Sequence, residues 1–155
     1  MLTLSFSFIT QLFFFFLTAL HDLKKKTVPL YIFLLAGAAG YILRMIDIFR
    51  GTAPQGLELL LPFLPGIFVY LFYRILRGPI GAGDVLFTLV EGFYLTLPEL
   101  LLLNAIGLMT AFLVSILIMV RCHFRRSSLR RRSIAFIPCL LPGFILITIS
   151  RLGYI

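Results

Sequence analysis

Apolar residues run in long blocks along this chain, interrupted by short clusters of charged residues, glycine and proline. Blocks of this length predict helices near 2–21, 29–48, 57–76, 85–97, 99–120 and 134–150. A bilayer crossing takes roughly 20 apolar residues, so the pattern reads as about six transmembrane helices joined by short loops, the fourth being the short one. Pro98 follows that fourth block, and proline disfavours helix at the residue before it, so a turn is predicted there. One long helix kinked at Pro98 is the alternative, and it would change the topology. The first block, Leu2 to Leu20, has no basic residue ahead of it and exceeds the usual core of a signal peptide, so it reads as a permanent first helix. The run Phe13 to Phe16 reads as a lipid-facing patch.

Composition sharpens this picture. With 61% apolar residues, 13% charged residues and a mean hydropathy of +1.08, a water-soluble domain could not hide its apolar surface. The expected fold is therefore an all-α, polytopic membrane protein forming one membrane-embedded domain over 1–155, with no length left for a soluble domain. The net charge of +8 does not argue for nucleic acid, because basic residues in so hydrophobic a chain belong to the loops that set orientation. Eleven lie after the first, third and fifth predicted helices: Lys24, Lys25, Lys26, Arg74, Arg77, Arg121, Arg125, Arg126, Arg130, Arg131 and Arg132. The other side holds only Arg44, Arg50 and Arg151. Cytoplasmic loops carry the excess, so a multi-pass protein of the plasma or inner membrane with its N-terminus outside is expected. The segment Arg125 to Arg132 reads as a topological anchor, a role compatible with gripping anionic lipid. Cys122 and Cys139 are too few and too far apart for a disulfide framework, and read as small membrane residues.

The acids carry the chemical information, because a carboxylate costs a few kcal/mol or more inside a bilayer. Of the six, Asp47, Glu58 and Glu99 fall near the outer helix ends, where water suffices to satisfy them. Asp22 closes the first predicted helix and Asp84 opens the fourth, so two carboxylates 62 residues apart converge on one membrane face. Gly81 and Gly83 precede Asp84, and such glycines allow a tight turn and a close approach of another segment. Taken singly, Asp84 is also what a helix N-cap would use, and Asp22 beside Lys24 to Lys26 is also a solvated charge cluster. Glu91, nearly two helical turns after Asp84, either tunes the same interior or bonds a neighbouring helix.

Two carboxylates about 4 Å apart repel by roughly 4 kcal/mol at an effective dielectric near 20, or about three pKa units. One then keeps a proton while the other ionises, giving an acid and a base that titrate together. The base can activate a water against a peptide carbonyl while the acid protonates its oxygen, with no metal and no cofactor. The chain has no H-E-x-x-H and no G-x-S-x-G, and His21, Cys122 and His123 match no familiar zinc spacing. A rival reading from another class is a non-enzymatic membrane component or a small proton- or cation-coupled transporter, in which the same aspartates bind a proton or cation.

The residues resemble those of the type IV prepilin peptidases and their preflagellin-peptidase relatives, membrane aspartyl proteases marked by G-x-G-D. The resemblance rests on Asp22-Leu23-Lys24-Lys25-Lys26-Thr27-Val28-Pro29, on Gly81-Ala82-Gly83-Asp84-Val85, and more loosely on the late stretch Ile134 to Gly143. It implies an aspartic-type endopeptidase of the short, protease-only kind, with Asp22 and Asp84 as the catalytic pair and Gly81, Gly83, Pro29 and Glu91 as motif or site-shaping residues. It also implies a substrate: a pilin-like membrane protein precursor of type IV pilus or protein secretion systems, cut after its short basic leader at the cytoplasmic face. The chain departs from the family pattern at Leu86, where a lysine is common, and at Leu30, where an asparagine is common.

Overall fold

The structure, a computed structural model, describes residues 2–52, 56–76, 81–124 and 136–153. Among them the regular structure is helical throughout: α1 (Leu2–Lys25), α2 (Leu30–Phe49), α3 (Leu64–Leu76), α4 (Ala82–Glu91), α5 (Leu97–Phe124) and α6 (Leu141–Gly153). Short 3-10 turns lie over Gly56–Leu59, Leu61–Phe63 and Ile137–Leu140. Four stretches are long and apolar enough to cross a membrane: Phe6–Lys25, Leu30–Phe49, Gly56–Ile75 and Leu97–Cys122. The chain is an all-α, polytopic membrane protein.

The predicted fourth crossing differs most from its expectation. Helix α4 has ten residues, about 15 Å of rise, or half the hydrocarbon thickness. The chain turns over residues 92–96, ahead of Pro98 rather than at it. Pro98 sits in the first turn of α5, where its missing N–H would have no intrahelical partner anyway. Thr96 fixes that start, since its hydroxyl and its backbone N–H both donate to Glu99 Oε2, at 2.7 and 2.8 Å.

Helix α1 packs chiefly against α2 and the Ile137–Leu140 turn. Four consecutive residues of a helix span most of its circumference, so Phe13 to Phe16 cannot all face lipid. Phe13 and Phe16 do, whereas Phe14 and Phe15 are buried. Phe14 stacks on Phe87 of α4 at 5.5 Å and meets Phe33 of α2 edge-on at 6.1 Å. Phe15 stacks on Phe144 of α6 at 4.4 Å. One aromatic cluster thus joins α1 to three other helices, and Leu95, Leu100, Leu103, Ile137 and Leu140 continue the core beneath it.

Polar contacts lock the end remote from Lys24–Lys26. The Tyr94 hydroxyl donates to the Ala36 carbonyl at 2.6 Å, tying α2 to the turn after α4. Arg151 of α6 makes two bonds to Glu99, from Nε at 2.7 Å and Nη2 at 2.6 Å, and a third to the Tyr94 carbonyl at 3.2 Å. Glu99 is therefore half-buried and ion-paired, not satisfied by water alone as its position near a helix end suggested. Gly107 of α5 takes Leu140 against its backbone so closely that a Cβ there would collide with that side chain, which brings the Ile137–Leu140 turn tight against α5.

Candidate active site

Helices α1 and α4 face each other through two stripes at helical spacing. On α1 the stripe is Gln11, Phe15, Thr18 and Asp22, all buried; on α4 it is Asp84, Phe87, Thr88 and Glu91. Gln11 Nε2 donates to Glu91 Oε2 at 2.6 Å, and one to two turns along, Phe14 and Phe15 meet Phe87. Numbers rise on one helix as they fall on the other, so the pair is antiparallel. That register sets Asp84 level with about residue 18 and leaves Asp22 four residues further toward the lysine-bearing end, an axial offset of roughly 6 Å. Helical side chains tilt toward their own N-terminus, so in antiparallel helices Asp22 leans back toward Asp84 while Asp84 leans forward toward Asp22.

Asp22 is 8% exposed, and its Oδ2 accepts the backbone N–H of Ile137 at 3.1 Å. The late proline-rich stretch of the sequence thus folds over the first aspartate; Phe136 to Gly143 of it are described, and Ile134 and Ala135 lie outside the described residues. Lys26 ends α1, its N–H donating to the Asp22 carbonyl at 2.9 Å, with a left-handed backbone at φ 52°. Asp84 is in the first turn of α4, outside the four long crossings, and its Oδ2 accepts the Gly81 N–H at a long 3.3 Å. Burial pushes the Asp84 carboxyl up to about 6, the nearby negative charge of Asp22 adds to the rise, and the Gly81 amide opposes it. No hydrogen bond joins the two carboxyls; the charge of Asp22 acts on Asp84 through space.

The other predicted residues divide. Gly81 has φ −76°, and neither it nor Gly83 has a left-handed backbone; residues 77–80, which lead into them, lie outside the described residues. Gly81 leaves room for the acid: a Cβ there would lie 3.1 Å from Asp84 Oδ2, while Gly83 has no neighbour within 4 Å among the described residues. Pro29 precedes the first residue of α2, in an extended conformation that separates α2 from α1. Glu91 is fully buried and bonds α1 through Gln11, about 10 Å along α4 from Asp84. It thus takes the helix-bonding role rather than a place beside the pair. Leu86 packs against the hydrophobic core. The side chain of His123 lies outside the described residues, and among the described residues no group of three or more His, Cys, Asp or Glu comes together.

Sequence reasoning missed Gln11, Thr18 and the Ile137 amide. The first two had a signal, polar residues at helical spacing from Asp22 within an apolar run; the amide had none, since every residue but proline supplies an N–H.

Fold and site together define a helical membrane protein with a carboxyl pair held between two antiparallel helices near one end. Comparison with protein-family models, with curated proteins and with solved structures returned no match.

Proposed function

We propose that this chain is a membrane aspartyl endopeptidase that removes the short basic leader from pilin-like precursors. The observation that carries the reading is the convergence of Asp22 and Asp84 from segments 62 residues apart, with the charge of one acting on the other. In this reading the ionised carboxyl draws a proton from water as that water attacks the scissile carbonyl, and the protonated carboxyl donates to the carbonyl oxygen or the leaving nitrogen. No covalent intermediate and no cofactor are needed. The lysine-bearing end faces the cytoplasm on the same reading, so a basic leader meets the pair where the precursor's hydrophobic helix enters the bilayer.

The rival, a proton- or cation-coupled transporter, has the same aspartates bind a proton or cation and calls for acids near mid-membrane, where Glu91 alone fits. Glu91 is fully buried; its Oε2 accepts the Gln11 amide and so joins α4 to α1, and its Oε1 has no hydrogen-bond partner among the described residues.

Co-expression of a pilin-like precursor with the wild type, Asp22→Asn or Asp84→Asn decides the matter. Each variant is expected to accumulate in the membrane as the wild type does and to lose cleavage by about 10²-fold or more. A wild type that cuts no precursor in a panel, or variants that cut as well as it does, would refute the reading.

A further inference from the structure

Lys26 occupies a backbone conformation that does not suit it. At φ 52° it sits in the left-handed region, where glycine and asparagine are at ease and other residues cost about 1–2 kcal/mol. Helices commonly end on such a residue, and glycine usually fills the place. A lysine here is costly as a helix terminator, so its side chain is the part to account for.

Its position supplies a reason. Lys26 is four residues after Asp22, one helical turn away, with its N–H on the Asp22 carbonyl, and its ammonium is near enough for its charge to act on the Asp22 carboxyl. The Ile137 N–H, on a residue that is itself buried, donates to the same carboxyl at 3.1 Å. Among the described residues Asp84 has weaker support, one amide bond at 3.3 Å, and position 86 of α4 is a leucine packed on the core. Among the described residues the charged and titratable groups that act on or are acted on by Asp22 are Lys26 just past α1, Asp84 of α4 and the Cys139 thiol of the Ile137–Leu140 turn.

We infer that Lys26, with the Ile137 amide, is a positioning group that holds the negative charge of the pair on Asp22, leaving Asp84 to hold the proton. This rests on the protease reading and deepens it: Asp22 becomes the general base and Asp84 the general acid. Lys26 touches no substrate in this scheme and acts only through Asp22.

Two substitutions separate the cation from the turn. Lys26→Asn keeps a residue at ease in the left-handed region and removes the charge, whereas Lys26→Arg keeps the charge. Precursor cleavage is followed against pH for the wild type and both variants, with thermal stability measured in parallel. For Lys26→Asn, the acid limb of the pH–rate profile is expected to move up by about half to one pH unit, with stability unchanged or raised. Lys26→Arg is expected to restore the wild-type profile. A lysine serving only to end the helix predicts an asparagine variant equal to or better than wild type at every pH, and that superposition would overturn the inference while leaving the protease reading intact. A shifted limb that arginine fails to restore would overturn it too. A wild type that cuts no precursor removes the protease reading and the inference with it.

Discussion

Replacing Asp84 by asparagine should abolish cleavage and yet stabilise the protein. The Asp84 carboxyl ionises at about 6 in the folded chain against 3.8 ordinarily. At about 1.36 kcal/mol per pH unit, holding it ionised in the fold at pH 7.5 costs about 3 kcal/mol relative to the unfolded chain. Asp84 is only partly buried, and solvent screening brings a realistic cost to about half of that, roughly 1.5 kcal/mol. The sign follows from linkage. The raised ionisation point makes the folded state bind the proton more tightly, so the contribution of Asp84 to stability is greatest in acid, below 3.8, and is lost as pH rises through 6. Asparagine cannot ionise and escapes that loss.

The gain from Asp84→Asn should therefore be about 1.5 kcal/mol at pH 7.5 and shrink to a few tenths near pH 4. For a chain of this size the former corresponds to a rise in Tm of roughly 3–6 °C. The thiols of Cys122 and Cys139 are buried in the fold, so a fluorogenic thiol reagent in detergent reports unfolding directly. An Asp84→Asn protein that melts at or below the wild-type temperature at pH 7.5, or whose advantage is the same at pH 4, would show that the carboxyl is not held ionised at a cost.

Two further outcomes test the scaffold. Glu91→Leu should destabilise the fold by about 1–3 kcal/mol because it strands the buried Gln11 amide, whereas Gln11→Leu combined with Glu91→Leu should recover most of that loss, as a double-mutant cycle of thermal melts will measure. Gly107→Ala should cost about 1–3 kcal/mol by driving Leu140 away from α5, and should also slow precursor cleavage, since the displaced turn carries the amide that holds Asp22; melting and cleavage rates together check this.

Much of this protein was legible in its residues, and the reasons are local. Long apolar blocks have no stable home outside a bilayer, which set the all-α membrane fold, and a carboxylate in such a chain stands out because its burial is costly. That ground left Asp22, Asp84 and Glu91, and the convergence of the two aspartates on one face of the predicted topology singled them out. Pro98 marked a break but not its side, because a proline suits a helix's first turn as well as the residues beyond its last. Only the tertiary structure decided which half of Phe13 to Phe16 turns inward, since that depends on the rotation of α1 against α2, α4 and α6. The register of α1 against α4, read from Gln11 on Glu91 and from Phe14 and Phe15 on Phe87, likewise arises from packing between segments about 70 to 80 residues apart, and no local pattern encodes it. The hold on Asp22 is further still from the sequence: it comes from a backbone amide 115 residues away, a group every residue but proline possesses, so only the folded path of the chain makes it particular.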